Sequence, residues 1–228
     1  MMRGIALLSL LGALASTARA QTPVALVEEI TGKPDGIEFM DYVAPGKVIA
    51  LGPRDGIVLG YIRSCWRESI RGGTVRVGQD QSEVGGGTVE RVKIACDGGR
   101  MELAAEQAKQ SATSVFRDPK ADRPKRATLP RPQFVLHGLS PVIELKGGGS
   151  LLLERLDAAG DTRTIELPAA KLLRGAFADL ADIGISLSPS GLYLARAVDQ
   201  ELVFRVDGAA AAGKTPLAGR LLRFRPPG

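Results

Sequence analysis

The sequence predicts an all-β protein built as two β modules with at most short helices, and three observations carry that expectation. Short runs alternate apolar and polar residues with a period of two, as half-buried strands require. Glycines at 32, 36, 46, 56, 72–73, 85–87 and 98–99 fall between or beside those runs, where turns need positive φ. A basic, proline-cut stretch at 117–132 then divides the chain into two parts of about 100 residues, an ordinary domain size. Hydrophobic residues at 44% and charged residues at 24% are globular values, which disfavours disorder and a multi-span membrane protein.

The first twenty residues read as an address. Arg3 supplies a positive start, 5–15 form an apolar run, and Ala18-Arg19-Ala20 is a small-x-small cleavage site. The run is about half the length a spanning helix needs, so a cleaved leader (1–20) and a mature chain without a membrane span are expected. Loss of Arg3 and Arg19 with the leader lowers the formal charge of +5 by two, which leaves no polyanion-binding surplus. Asparagine is absent and arginine outnumbers lysine. That bias suggests a GC-rich bacterial gene and places the exported chain in the periplasm or outside the cell.

In the first module, 21–116, strands are expected at 24–30, 37–40, 47–51, 57–65, 74–77, 88–96 and 114–116, with one or two helical turns at 104–112. Cys65 and Cys96 are the only cysteines, an even count that reads as a disulfide in an exported chain. In 88–96 the alternation predicts that Val92, Ile94 and Cys96 share the apolar face, with Arg91 and Lys93 on the other. No C-x-x-C accompanies the pair, so a structural staple is preferred to redox chemistry. Trp66, beside Cys65, is assigned to core or disulfide packing rather than to ligand stacking.

The segment 117–132 holds Arg117, Lys120, Arg123, Lys125, Arg126 and Arg131 together with Pro119, Pro124, Pro130 and Pro132. Proline removes backbone donors and favours extended neighbours, so this reads as a semi-rigid linker whose charge is solvated. Contact of that charge with anionic lipid is the alternative. In the second module, 133–228, strands are expected at 133–136, 142–145, 151–156, 162–167, 185–187, 192–198, 201–206 and 217–224. Leu172, Leu173, Ala176, Phe177 and Leu180 recur at helical spacing after Pro168, which predicts a short helix.

Two resemblances sharpen this picture. The run Glu29-Ile30-Thr31-Gly32, then 43–52 (VAPGKVIALG), then Gly56-Ile57-Val58-Leu59, resembles the FecR-type periplasmic domain over 24–65; the resemblance implies an exported scaffold or sensory domain. Leu187, Pro189 and Tyr193 resemble the tyrosine corner of fibronectin-III and related immunoglobulin-like sandwiches. That likeness implies a sandwich in which the Tyr193 hydroxyl bonds backbone near the preceding turn, a structural role.

Two motifs suggest chemistry. Residues 208–215 (GAAAAGKT) satisfy the Walker A expression, but a phosphate loop must open a helix inside a parallel α/β core. An Ala/Gly loop is expected instead, with no nucleotide bound. His137 is the only histidine and so the one conventional base near neutral pH. A hydrolase would combine it with a serine and an aspartate such as Asp179 or Asp182, but neither G-x-S-x-G nor S-x-x-K occurs. One imidazole and a bridged cysteine pair leave little for a metal.

The sequence therefore predicts a non-catalytic exported protein with no cofactor, metal, nucleotide or nucleic acid. It would act through an unidentified periplasmic or envelope protein as an accessory, scaffold or sensory domain. The alternatives are an exported hydrolase using His137 and a cell-wall or polysaccharide binder.

Overall fold

The computed structural model describes residues 22–96, 129–198, 200–214 and 216–224. The leader, the expected elements at 104–112 and 114–116, and 117–128 of the linker lie outside these residues; 129–132 are exposed. The protein is all-β, and among the described residues no helix is long and apolar enough to cross a membrane.

The first module is a six-stranded antiparallel sheet. Its strands are β1 (Ala25–Thr31), β2 (Tyr42–Val43), β3 (Val48–Tyr61), β4 (Trp66–Val77), β5 (Ser82–Gly85) and β6 (Thr88–Lys93). They run in the order β2-β1-β3-β4-β5, with β6 also paired to β4. Strand β4 serves two partners because it turns a corner at Gly72 (φ 62°) and Gly73 (φ 78°): its first half pairs β6 and its second half pairs β5. The corner needs glycine on both sides. A Cβ on Gly73 would meet the Gly85 carbonyl at 2.4 Å, and one on Gly87 would meet the Gly72 carbonyl at 2.1 Å. Ala25, Val27, Ile49, Leu59, Ile70 and Val75 fill the core enclosed by the bent sheet.

Three expectations for this module change. The separate strands 47–51 and 57–65 are one strand, β3, broken only by a bulge at 52–55 where Asp55 accepts a bond from Gly52 N at 2.9 Å. The expected strand 37–40 is a turn that ends in Met40 at φ 66°, its side chain fully buried. In β6 the faces are opposite to expectation. Arg91 lies opposite buried Glu68 and bonds it, while Val92 is 61% exposed, because a buried carboxylate needs a cationic partner more than a rim valine needs burial. Cys65, at the β3–β4 turn, and Cys96, past the end of β6, form the expected disulfide with a Cα–Cα distance of 5.7 Å.

The second module is a sandwich. Strands β7 (Phe134–Gly138), β9 (Gly148–Arg155), β10 (Thr162–Pro168), β12 (Leu192–Ala197) and β13 (Gln200–Ala211) form a five-stranded sheet ordered β10-β9-β12-β13-β7, with β7 parallel to β13. Strands β8 (Val142–Glu144), β11 (Phe177–Asp179) and β14 (Leu221–Leu222) form a second sheet ordered β11-β8-β14. Leu151, Leu153, Ala195 and Phe204 from one sheet pack on Ile143, Ala178 and Leu222 from the other.

The expected helix over 172–180 does not form. Arg174 (φ 50°) and Gly175 (φ 69°) turn the chain sharply, and Leu173 and Phe177 bridge across the turn. The helical spacing misled because its apolar residues serve two cores: Leu172 and Leu180 enter the sandwich, while Phe177 faces the first module. The expected strand at 185–187 is irregular backbone, tied by Leu187 N to Leu139 O at 2.8 Å.

The two modules share a third core. Leu26 and Met40 of the first pack with Val142, Phe177 and Leu221 of the second. The Phe39 ring meets Phe177 edge-on at 5.4 Å, Arg223 Nη2 donates to Met40 O at 2.5 Å, and Arg174 donates to Ile30 O.

Replacing both cysteines with alanine is expected to lower unfolding free energy by about 2–4 kcal/mol, with the loss shared by the whole block rather than confined to a local transition. Urea denaturation followed by tryptophan fluorescence, which reports Trp66 near the bridge, measures it.

Candidate functional site

Where the modules meet, the seam opens into a cleft of about 420 Å³. Its first wall comes from β1 and β4, its second from the turn after β10 and the segment before β14. On the first wall Glu28 sits at a β1 bulge and lies over Gly60, where a Cβ would meet its Oε1 at 2.3 Å. Arg67 bonds Glu28 through Nε at 2.8 Å and Glu29 through Nη2 at 2.7 Å. On the second wall Arg174 stacks over Phe39, 5.3 Å from the ring centroid, and Lys214 Nζ pairs with Asp182 at 2.5 Å. Most charges of the cleft are thus paired within the chain, while Glu28 Oε1 is buried without a hydrogen-bond partner and Arg174 meets a carbonyl and a ring.

Below it lies a buried pair. Arg220 is 1% exposed and donates to Asp179, to Ser140 O at 2.6 Å and to Lys214 O. Asp179 in turn accepts from Ala181 N at 2.9 Å, capping the 3₁₀ turn Leu180–Ile183. A close seat for Arg220 exists only because Gly138 carries no side chain: a Cβ there would meet Arg220 Cγ at 2.5 Å. The first module holds a counterpart. Fully buried Glu68 accepts Ser82 N at 3.1 Å and Arg91 Nε at 2.6 Å, and Ser82 Oγ lies 2.8 Å from the Tyr61 hydroxyl.

The residues singled out by sequence fall in separate places. The Tyr193 hydroxyl accepts Ser188 N at 2.9 Å, between Leu187 and Pro189, and its ring stacks on Phe204 at 5.6 Å. Leu187 is buried and Ser190 turns at φ 61°. Trp66 packs against the first core with Lys93 Nζ 4.5 Å above its ring. His137 is largely buried in β7 and faces Asp207, Nδ1 to Oδ2 3.9 Å, whereas Asp179 and Asp182 are held by Arg220 and Lys214. The structure therefore does not bring His137 together with either aspartate proposed from sequence.

The Walker-like run corrects the expected loop. Residues 208–211 are the extended end of β13, and Lys214 is paired with Asp182, so this backbone does not curl into a phosphate cradle or open a helix. Thr215 lies outside the described residues. Among the described residues no group of three or more His, Cys, Asp or Glu side chains is placed to hold a metal ion.

The buried pair Arg220–Asp179 and the buried Glu68 carboxylate held by Arg91 were not found from sequence. Their only trace there is a charge at an inward strand position, such as Glu68 before Ile70, and that trace gains meaning only when the pairing register is known. The chain matches no protein-family model, no curated protein and no solved structure.

Two predictions follow from these contacts. Arg220→Ala should cost about 3–5 kcal/mol, because it strands the Asp179 carboxylate in a buried site, whereas exposed Arg163→Ala should cost under about 1 kcal/mol; chemical denaturation at neutral pH compares them. Burial pushes the hydroxyls of Tyr42, in the seam, and Tyr61, in the first core, up to about 12. An unfolded phenol ionises near pH 10, so the stability these groups contribute is complete below pH 10 and is lost as pH rises through 12. Absorbance at 295 nm should show Tyr42 and Tyr61 ionising together with unfolding rather than ahead of it; Tyr42→Phe and Tyr61→Phe variants that leave the pre-unfolding absorbance rise smaller than in the parent would contradict this.

Proposed function

We propose that this chain is an exported, non-catalytic protein of the bacterial envelope that works by contacting other proteins as an accessory, scaffold or sensory unit. The observation that carries the reading is the shared core. It makes two β modules one rigid block and so presents their outer sheet faces and edges in a fixed relation, which suits a protein whose task is to hold surfaces rather than to transform a substrate.

Three features support it. The disulfide suits an oxidising compartment, as the leader-like start does. In the second module the order β10-β9-β12-β13-β7, facing a β8–β11 pair, follows the arrangement of immunoglobulin-like sandwiches, and Tyr193 lies early in β12 as a tyrosine corner requires. The glycine-punctuated first module is the part that resembles a FecR-type domain. We read both modules accordingly, as a FecR-like β domain followed by an immunoglobulin-like sandwich.

The test sets binding against turnover. Photo-crosslinkers placed on exposed positions of the outer sheet faces and expressed in the periplasm should give discrete adducts with envelope proteins, and the purified chain should leave generic ester and peptide substrates intact. Turnover that disappears in His137→Ala would sink the proposal in favour of a hydrolase.

A further inference from the structure

The first sheet carries a second hollow beside the seam cleft, with Glu29 between the two. It measures about 410 Å³ and is lined by three neighbouring strands: Glu29 and Thr31 of β1, 53–58 of β3 and 69–71 of β4. Its floor is low because Gly56 has no side chain. A Cβ there would meet Ile70 O at 3.2 Å, Arg71 Cγ at 3.7 Å and Thr31 Cβ at 3.8 Å, so the stem of Arg71 and the Thr31 side chain stand close around bare backbone.

The bulge of β3 raises the rim. Between the pairs Leu51–Gly73 and Gly56–Arg71, β3 takes five residue steps where β4 takes two, and the surplus leaves Pro53 and Arg54 exposed. Asp55 pins this excursion: its Oδ2 accepts Gly52 N at 2.9 Å, and its carboxylate lies so close to Gly32 and Gly52 that a Cβ on either would meet it at 1.9 or 2.9 Å. Bulges of this kind re-aim side chains beside functional sites.

The polar groups around the hollow include donors without acceptors. Arg63, Arg155, Arg163 and Arg196 each hold a carboxylate, but Arg54 and Arg71 have no acid, carbonyl or ring partner among the described residues. The Thr31 and Ser69 hydroxyls are unbonded as well. Both acids of the lining are already engaged, Asp55 by Gly52 N and Glu29 by Arg67 Nη2 at 2.7 Å. Two guanidinium forks and two hydroxyls therefore border one concavity with nothing in the chain to bond.

Such a set suits an oxyanion. A guanidinium presents paired N–H donors that match the oxygens of a phosphate, and each hydroxyl adds one more. A phosphate offers more acceptor oxygens than a carboxylate and so can use donors that come from three strands. The hollow falls within the roughly 300–1,000 Å³ of small-ligand sites, which leaves room for the group the phosphate is attached to. No aromatic ring lines it, so the anion rather than ring stacking carries the recognition.

We propose that this hollow binds a phosphate monoester, with Arg54 and Arg71 clasping the phosphate and Thr31 and Ser69 bonding its remaining oxygens or the attached group. A phosphorylated sugar and an anionic lipid headgroup both present that chemistry. The site goes beyond the protein contacts proposed above and does not depend on them.

Isothermal titration calorimetry on the disulfide-bonded mature chain at low ionic strength tests the soluble source, with glucose 6-phosphate as probe and glucose as its control. Flotation with phosphatidylcholine vesicles containing phosphatidic acid tests the lipid source. A bound probe should be held at one site, and glucose should not bind. Arg54→Ala and Arg71→Ala should each weaken binding about tenfold, as loss of a charge-assisted contact implies. Arg71→Lys keeps the charge but loses the fork, and should fall between the parent and Arg71→Ala. Arg76→Ala removes another exposed, unpaired arginine that lies outside the hollow and should change nothing. All these positions are exposed, and circular dichroism confirms that each variant is folded.

Binding of glucose 6-phosphate alone assigns a soluble ester; binding of the vesicles alone, released by the same two variants, assigns a lipid headgroup. No binding of either probe at up to about 10 mM phosphate overturns the proposal. Binding that Arg76→Ala weakens as much as Arg71→Ala also overturns it, because diffuse charge then suffices. Binding that survives both Arg54→Ala and Arg71→Ala places the anion elsewhere and rejects this site. None of these failures touches the contact role, which is judged by crosslinking to other proteins and by the absence of turnover.

Discussion

Four consecutive residues, 220–223, hold this molecule together, and the buried Arg220–Asp179 pair fixes where they lie. Arg220 is anchored by the Asp179 carboxylate and two carbonyls. The next residue, Leu221, enters the core between the modules, and Leu222 enters the sandwich. Arg223 then crosses to Met40 O and stacks over Tyr42 and Phe177. A two-residue strand is too short to hold this position through its own ladder bonds, so the guanidinium supplies the fixed point. Burying two charges costs several kcal/mol per ion before their attraction returns it, which makes the pair weak evidence for added stability but a strict selector of geometry.

The first module reaches the same end by the same chemistry. Glu68 needs Arg91 and the Ser82 amide, and these three residues belong to β4, β6 and β5. One buried carboxylate therefore decides how both halves of the bent strand β4 find their partners. The glycines at the corner make the bend sterically possible, and the carboxylate makes one closure better than others. The disulfide reinforces the same region from outside by tying the β3–β4 turn to the segment after β6.

Modules joined only by a tether reorient freely, but here aromatic, aliphatic and guanidinium contacts all cross the seam. In the cleft of that seam Arg67 holds Glu28 and Glu29, Lys214 holds Asp182, and Arg174 reaches across to Ile30 O.

The sequence by itself determined the all-β class, the disulfide and most strands of the second module, because these follow from period-two alternation and from pairing the only two cysteines. Tyr193 was likewise legible as a structural residue, since Leu187, Pro189 and Tyr193 form a local pattern whose contacts stay within a few residues. Only the tertiary structure decided which face each charge occupies. Arg91 faces inward and Val92 outward because Glu68, far away in sequence, is buried opposite Arg91. The 172–180 segment looked helical because a single periodicity cannot reveal that Leu172 and Phe177 serve different cores. The seam was silent for the same reason: Leu26, Met40, Phe177 and Leu221 are each ordinary apolar residues, and their common role exists only once two modules distant in sequence are brought into contact.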